Sequence, residues 1–379
     1  MINKIRIANF KSHKDTELQL GNLTILSGQN GVGKSSIIQS LLLLRQTFQK
    51  NRLNEVLELN DPLCFIGKSD DAIYKFPNDE FGNQIGFVIS DDKNEYSWLF
   101  EPIANKNSTY LNRINDISDS DGHEELSLFN NNFQYLSASR NTDYLSDDYS
   151  VEVQKQISIK EGKGELVAQF LNEFGKKERV IDLLKHPTES DDFLLSQVTA
   201  WEKEISKNVN VQPISLGDGY DIKYSFDTTN ELGLIDNLSK KNVGFGLSYA
   251  LPILTAILSS KKGGIVIIEN PEAHIHPYGI SKISELICLA SQSGIQIIVE
   301  THSDHIINGI LVQCKAFETT NGSKGIEKDS VKLYYFNRNE NEHATEAIIL
   351  PILSGGKIQR PPIGFFDQLD IDMDTLMGI

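Results

Sequence analysis

The chain has 379 residues, 39% of them hydrophobic, so it is long enough to bury a substantial core as one large domain or two lobes. Its 36 lysines and arginines against 52 aspartates and glutamates give a formal net charge of −16. That charge repels phosphate backbones, so unaided binding to nucleic acid is disfavoured unless basic residues cluster on one face.

The N-terminal segment follows the order strand, strand, glycine-rich loop and helix. Alternation of apolar and polar residues predicts a strand over residues 4–8, and an apolar run predicts a second strand over 23–27. A helix is expected over 34–49, where apolar residues follow the glycines directly. This order is typical of the opening βα unit of a nucleotide-binding domain.

Residues 51–230 have a mixed pattern without sustained heptads. Short apolar runs at 85–89, 96–100 and 133–137 are separated by Asn, Asp, Ser and Gly, which predicts short strands joined by turns. The stretch 115–132 is polar and acidic and is expected to be a mobile loop. We therefore expect an inserted lobe that mixes strands and helices.

The pattern sharpens in the C-terminal part of the chain. Buried strands are predicted at 265–268 and 295–299, with helices over 247–258 and 277–290 and a further helix from Asp304. Fully apolar strands that alternate with helices indicate a mainly parallel sheet with both faces covered, and hence an α/β fold. The predicted segments are 1–50, 51–230, 231–345 and a C-terminal tail, 346–379.

No feature of the sequence points to an oxidising compartment or a membrane. The three cysteines are odd in number and far apart, which disfavours both a disulfide framework and a metal site. The N-terminus lacks the apolar core of a signal peptide, and no apolar run approaches the length of a bilayer span. We expect a cytoplasmic protein that makes no membrane contact.

The glycine-rich loop at residues 28–36 reads GQNGVGKSS and matches the pattern G-x-x-x-x-G-K-[ST]. Its glycines allow successive amides to point at phosphate oxygens, and the helix that follows contributes its partial positive charge. Lys34 is expected to neutralise the β- and γ-phosphates of ATP, and Ser35 to ligate Mg²⁺. The predicted nucleotide-binding residues of this loop are Gln29, Asn30, Gly31, Val32, Gly33, Lys34, Ser35 and Ser36.

Polar side chains follow the ends of three predicted strands. Glu269 ends one buried strand and is placed to hold Mg²⁺ opposite the glycine loop. His302 follows another and is expected to contact the γ-phosphate or to orient the attacking water. Each is also common without function, and it is the glycine loop upstream that favours a site. Arg140, at the end of a third strand, is interpreted as a surface ion pair rather than a phosphate sensor.

A second glycine-containing turn, at residues 242–252, opens the predicted helix over 247–258. The amides around Gly246 and the hydroxyl of Ser248 are suited to binding an anion at the helix N-terminus. Glycine before a helix is also ordinary capping, so the pattern alone leaves both interpretations open.

Taken in chain order, these features resemble the ABC-type ATPase heads of the SMC, RecF and OLD (overcoming lysogenization defect) group. Residues 5–13 (IRIANFKSH) are similar to the first strand and following loop of that group, and 28–36 to its Walker A motif. Residues 242–249 resemble a degenerate signature motif. Residues 265–276 look like Walker B running into the D-loop, and 300–303 like the switch-histidine loop.

The resemblance implies a P-loop ABC-type head with ATP and Mg²⁺ as cofactors. It also implies a homodimer or higher oligomer that sandwiches the nucleotide. Each site would then take its phosphate loop from one subunit and Gly246 and Ser248 from the other.

One position departs from the family pattern. The family usually has Asp and then Glu at the end of the Walker B strand, whereas this chain has Glu269 and Asn270. Glu269 can still serve the metal, but the Asn270 amide cannot accept a proton. Either Glu272 acts as the catalytic base, or hydrolysis is slow and ATP acts chiefly as a clamp between subunits.

The tail at residues 355–368 is similar to a segment of unknown function in bacterial ATPases that share this Walker B variant. Such proteins often accompany a separate nuclease or toxin in anti-phage modules, so the resemblance implies an effector partner. Three functions remain open: an ATP-driven dimeric switch, a nucleotide-gated scaffold with little hydrolysis, and a RecF-like DNA-repair clamp. The acidic charge opposes the last.

Overall fold

The structure is a computed structural model that describes residues 1–77, 82–103, 107–140, 148, 150–217, 219–227, 235–239, 242–359, 361–362, 364–366 and 368–378. Its strands are β1 (Lys4–Phe10), β2 (His13–Gln19), β3 (Leu23–Gly28), β4 (Val56–Glu58), β5 (Ile85–Ser90), β6 (Glu95–Glu101), β7 (Tyr110–Arg113), β8 (Phe133–Leu136), β9 (Val209–Ser215), β10 (Tyr220–Phe226), β11 (Ile235–Ser239), β12 (Ile265–Glu269), β13 (Gln296–Glu300), β14 (Val331–Asn339), β15 (Ala344–Ile349), β16 (Ile352–Leu353) and β17 (Lys357–Ile358). Its helices are α1 (Lys34–Gln49), α2 (Ser69–Ala72), α3 (Ser150–Gln154), α4 (Val167–Phe174), α5 (Leu194–Ile205), α6 (Phe245–Ser259), α7 (Pro277–Gln292), α8 (Asp304–Thr319) and α9 (Gln368–Met377). The elements predicted from the sequence agree with these bounds to within two residues at either end.

The central sheet has the strand order β15-β14-β3-β13-β12-β8 in the described chain. The strands from β14 to β8 are parallel, and β15 at one edge is antiparallel to β14. Glu300 at the end of β13 pairs with Leu26 of β3 on one side and with Glu269 of β12 on the other. The carboxyl ends of these strands therefore meet at one edge, where α/β sheets place their ligand sites. This mixed, mainly parallel sheet confirms the predicted fold class.

Both faces of the central sheet are covered because alternate residues of each strand point to opposite sides. On β12, Val266 and Ile268 pack into a core built with helices α4 to α8. Ile265 and Ile267 pack into a second core with α1 and an antiparallel sheet of order β2-β1-β5-β6-β7-β4. The apolar character of this strand, read from the sequence, thus reflects burial on two sides.

Residues 51–230 are continuous with the rest of the described chain. Strand β5 pairs with β1 at the N-terminus, and β8 pairs with β12 in the central sheet. Strands β9 and β10 form a small antiparallel sheet with β11. Strands of this segment therefore belong to the same sheets as strands outside it. The division of the chain at residues 50 and 230 stays a prediction.

The acidic stretch 115–132 is packed against the protein, contrary to the mobile loop expected from its composition. Leu126, Leu128 and Phe129 are buried in the second core. The buried His123 ring lies edge-on to Trp98 and Phe129, with ring centroids 5.6 and 4.9 Å apart. A few apolar side chains therefore anchor a segment whose average composition is polar.

Cys64, Cys288 and Cys314 are buried free thiols. Across the described residues, every helix is too short or too polar to cross a lipid bilayer.

Candidate functional site

A cavity of about 620 Å³ lies at the carboxyl ends of β3 and β13, in the size range of small-ligand sites. The glycine loop between β3 and α1 forms one part of its wall and the end of β13 another. Six of the eight predicted nucleotide-binding residues of that loop line it, namely Asn30, Gly31, Gly33, Lys34, Ser35 and Ser36. Gln29 and Val32 belong to the loop but are absent from the cavity lining defined by the described residues.

The loop adopts a backbone that glycine permits. Gly28 has a φ of 135°, and a Cβ at that position would lie 2.4 Å from the carbonyl oxygen of Phe336 on β14. Lys34 Nζ donates to the carbonyls of Gly28 and Gln29 at 2.9 and 2.7 Å. Burial lowers the pKa of this ammonium. The loop therefore curls around a cation that phosphate oxygens can bind in place of these carbonyls.

The Ser35 hydroxyl donates to Oε1 of Glu300 at 2.8 Å, which joins the start of α1 to the end of β13. Oε2 of Glu300 is buried and has no hydrogen-bond partner among the described residues. Burial, together with the Glu269 carboxylate on the neighbouring strand, raises the pKa of Glu300 to about 7. A hydroxyl beside a carboxylate with an unused oxygen is a donor set of the kind that Mg²⁺ prefers.

Glu269, the residue predicted to hold Mg²⁺, has other partners in this structure. Its Oε1 accepts a hydrogen bond from the Tyr135 hydroxyl at 3.0 Å, and its Oε2 accepts one from the Ala138 amide at 3.4 Å. Burial raises the pKa of this carboxyl. Glu300, which sequence reasoning did not select, is the acid that contacts Ser35, while the metal role of Glu269 stays a prediction.

The predicted histidine and the predicted base lie next to each other. His302 lines the cavity, and burial and the nearby Lys34 ammonium lower its pKa. Its main-chain amide donates to Oε1 of Glu272 at 3.0 Å. Oε2 of Glu272 is buried and accepts no hydrogen bond within the described part of the chain. Glu272 therefore lies behind His302, one hydrogen bond from the cavity wall.

Asn270 has a local structural reason to replace glutamate. Its φ of 44° is left-handed, a conformation that asparagine tolerates and that costs most other residues roughly 1–2 kcal/mol. The main-chain N–H of Asn270 donates to the Glu300 carbonyl at 2.7 Å, so the turn after β12 is hydrogen-bonded to the end of β13. A glutamate at this position would strain the turn that joins the two strand ends.

Arg140 is buried, so its interpretation as a surface ion pair is wrong. The guanidinium donates to the carbonyls of Ser137, Glu269 and Asn270 at 2.8, 2.6 and 2.7 Å. Burial lowers its pKa to about 10, and it lies over the Tyr249 ring of α6. It joins the ends of β8 and β12 to α6, an arrangement that only the tertiary structure reveals.

The predicted signature residues Gly246 and Ser248 lie in the first turn of α6, whose N-cap is Gly244. Ser248 is only 3% exposed, and neither residue lines the cavity of its own chain as far as the described residues define it. Phe245 beside them is 72% exposed. Whether these residues reach a nucleotide held by another copy stays a prediction.

His13 supports the glycine loop from behind. Its Nε2 lies 3.0 Å from the Gly33 carbonyl, and its Nδ1 lies 2.9 Å from the Thr16 hydroxyl. Because a carbonyl only accepts, Nε2 carries the proton and Nδ1 accepts from Thr16. Burial lowers the pKa of His13 to about 4, so the ring is neutral at physiological pH.

This histidine predicts a loss of stability in acid. The unfolded chain takes up the proton near pH 6.5, whereas the folded chain resists it until about pH 4, so the free energy of unfolding falls as pH decreases between these values. The loss attributable to His13 is about 2–3 kcal/mol. Urea unfolding of wild type and His13→Gln between pH 7.5 and 4.5 measures it as the difference in pH dependence. Parallel stability curves for the two proteins would contradict it.

Comparison of the chain with models of known protein families gives two matches. A model of the family described as "AAA domain, putative AbiEii toxin, Type IV TA system" matches residues 23–308, well over half of the chain. The chain belongs to this family. A second model, of a protein of unknown function (DUF3696), matches residues 326–376.

Relatives and solved structures place this AAA-family member among SMC/RecF/OLD-like ABC-type ATPase heads. It is 34% identical over 82 residues to the Old nuclease of Escherichia phage P2, over 20% of this chain and 14% of that protein. It is 27% identical over 95 residues to the DNA replication and repair protein RecF of Clostridioides difficile, over 24% of each chain. An SMC head crystallised with the C-terminal winged-helix domain of ScpA matches with a TM-score of 0.53 at 14% identity, over 93% of this chain and 98% of that one. The chain thus spans a quarter or less of these two relatives, and the structural match shows the fold.

Proposed function

We propose that this cavity binds ATP with Mg²⁺, and that ATP occupancy drives dimerisation of the chain and thereby regulates a separate effector protein. The observation that carries the proposal is the convergence of the Lys34 ammonium, the Ser35 hydroxyl and the Glu300 carboxylate on one cavity. Together they supply the charge and the ligands that a magnesium nucleotide requires.

The phosphates would lie against the N-terminus of α1. Its N-cap is Gly33, and no side chain of the described residues caps it. The first amides of a helix lack intrahelical acceptors and carry the positive end of its dipole, so an anion is a suitable partner. The part of the cavity formed by Ile73, Lys75 and Arg338 would receive the base and ribose.

The residues present fit Mg²⁺. Ser35 and Glu300 would hold it, and the unpartnered Oε2 of Glu300 is an oxygen that a bound cation would satisfy. Bound there, the ion would neutralise negative charge on the phosphates. The described residues contain no cluster of three or more His, Cys, Asp or Glu side chains suited to a metal.

Hydrolysis would depend on Glu272 and His302. In this step water attacks the γ-phosphorus, the bond from that phosphorus to the β–γ bridging oxygen breaks, and the Glu272 carboxylate takes the proton of the water. His302 would orient the γ-phosphate from the cavity wall. A second candidate function is a nucleotide-gated scaffold that hydrolyses ATP slowly, and two observations favour it. The Asn270 side chain cannot act as a base, and Glu272 already accepts a hydrogen bond from the His302 main-chain amide.

The proposal of an effector partner draws support from the relatives. The SMC head of similar fold is bound to a domain of another protein, ScpA. The family description names a toxin and a toxin–antitoxin system, which supports a partner of the nuclease or toxin class in anti-phage defence. In the dimer, the start of α6, with the exposed Phe245 and the half-buried Gly246, would face the nucleotide of the other copy.

The Glu272→Gln variant tests the switch. Wild type is expected to double its mass with ATP and Mg²⁺ and to return to the starting mass as ATP is consumed. The variant should form a persistent dimer and hydrolyse ATP about 100-fold more slowly, because its amide cannot take the proton. Light scattering with a phosphate-release assay measures both.

Glu285→Gln is the matched control, since Glu285 lies on the surface of α7 in an ion pair with Lys282. Wild-type turnover well below about one per minute, with a dimer that persists, would select the scaffold instead. A mass that does not respond to ATP would contradict both versions.

A further inference from the structure

Four hydroxyl and imidazole side chains form two hydrogen-bonded pairs that contact the glycine loop, Ser12 with Thr345 and His13 with Thr16. We call Ser12, His13, Thr16 and Thr345 the loop brace. His13 and Thr16 belong to β2, Ser12 precedes that strand, and Thr345 belongs to β15 more than 300 residues later. All four lie outside residues 23–308, the part that matches the AAA family, and Thr345 lies within the DUF3696 match.

The hydrogen bonds of the loop brace have defined directions that end on two carbonyls of the loop. The Thr345 hydroxyl donates to the Val32 carbonyl at 2.8 Å. Its oxygen lies 2.7 Å from Ser12 Oγ, which is then the donor to Thr345. On the other side, Thr16 donates to His13, and His13 Nε2 donates to the Gly33 carbonyl.

Fixing a carbonyl also fixes the amide that follows it. A trans peptide is planar, and its C=O and N–H groups point in opposite directions. The Val32 carbonyl shares its peptide plane with the Gly33 N–H, and the Gly33 carbonyl shares one with the Lys34 N–H. Gly33, Lys34 and Ser12 line the cavity, whereas His13, Thr16 and Thr345 do not among the described residues. His13 and Thr345 therefore hold two consecutive N–H groups of the loop away from themselves.

The close contact between Gly33 and the loop brace leaves no room for the glycine loop to shift toward the loop brace. A Cβ on Gly33 would lie 2.3 Å from Thr345 Oγ1 and 2.7 Å from Ser12 Oγ, and the φ of Gly33 is 104°. Any side chain here would push the loop away from β15. Glycine is therefore required at this position by the loop brace as well as by backbone conformation.

We propose that Thr345 and His13 are positioning residues that hold the amides of Gly33 and Lys34 toward the phosphates of the nucleotide. This rests on the proposed function of the cavity. It also assigns a role to part of the C-terminal region: β15 completes the phosphate-binding loop. Without Thr345 the Val32 peptide is free to rotate, and binding must then order it.

The Thr345→Val variant tests the proposal because it keeps the shape of the side chain and removes its hydroxyl. The Kd for ATP should rise about tenfold, the cost of roughly one hydrogen bond. Thr345→Ser should bind within about twofold of wild type, since it restores the donor. Titration with a fluorescent ATP analogue measures the three affinities, and urea unfolding measures their stabilities.

Thr255→Val is the matched control. Thr255 is buried in α6, and its hydroxyl also donates to a main-chain carbonyl at 2.8 Å, that of Leu251. It should lose stability as Thr345→Val does and keep wild-type ATP affinity. ATP affinity unchanged in Thr345→Val, or not restored in Thr345→Ser, overturns the proposal, whereas failure of wild type to bind ATP overturns the proposed function itself.

Discussion

Lys34→Ala is expected to weaken ATP binding by at least about 100-fold. Lys34 as a residue is 3% exposed, and its ammonium makes two hydrogen bonds at 2.9 and 2.7 Å to carbonyls of its own loop. These neutral acceptors stabilise a buried cation less well than phosphate oxygens, because charge-assisted hydrogen bonds are the stronger kind. Losing two bonds to charged oxygens costs about 3–5 kcal/mol, which corresponds to 100-fold or more in Kd.

Isothermal titration with ATP and Mg²⁺ measures this loss. Lys50→Ala is the control, because Lys50 is the C-cap at the other end of α1, far from the glycine loop in the helix, and forms an ion pair with the half-buried Glu58. The Lys34 variant should fold at least as well as wild type, since it removes a charge that burial disfavours. ATP affinity unchanged in a folded Lys34→Ala protein would show that the nucleotide binds elsewhere.

The sequence specified the glycine loop well because that motif is local. A strand, the pattern G-x-x-x-x-G-K-[ST] and a helix follow one another without interruption, so three independent signals agree. The fold class followed for a similar reason, since strands buried on both faces read as continuous apolar runs. The boundaries of β3, β12 and β13 were accordingly within two residues of the structure.

The choice between two acids could not be made from local pattern. Both Glu269 and Glu300 end a buried strand, and only the order of strands distinguishes them. Strand β13 lies between β3 and β12, so Glu300 is the acid beside the glycine loop. The loop brace was hidden for a related reason: Thr345 and Val32 are brought together by the pairing of β15 with β14 and of β14 with β3.

The stretch 115–132 shows where composition misleads. Its acids predict a solvated loop, and they are exposed, but three apolar side chains suffice to anchor the segment in the core that includes β6 and α1. Arg140 shows the reverse case, in which a residue expected on the surface is buried. A charged side chain at a strand end is usually exposed, yet here main-chain carbonyls of two strand ends accept three hydrogen bonds from it in the interior.

Glu300→Gln is expected to abolish the Mg²⁺ dependence of ATP binding, whereas Glu269→Gln should preserve it. The two residues are paired across β13 and β12, so the variants make the same change at adjacent strand ends. Glu300 has an unpartnered buried oxygen within the described chain and a contact to Ser35. Glu269 has both carboxylate oxygens engaged, by Tyr135 and Ala138. An amide oxygen is a far weaker ligand for a hard cation than a carboxylate.

The measurement is ATP affinity with and without Mg²⁺ in wild type and both variants. In Glu300→Gln the tightening by Mg²⁺ should disappear and turnover should fall about 100-fold, while affinity for metal-free ATP remains within a few-fold of wild type because Lys34 is intact. In Glu269→Gln the Mg²⁺ effect should persist, with a loss confined to stability through the Tyr135 contact. The reverse result would mean that Glu269 leaves Tyr135 to bind the metal. The strand-end pattern of the sequence would then identify the ligand better than the hydrogen bonds of the structure.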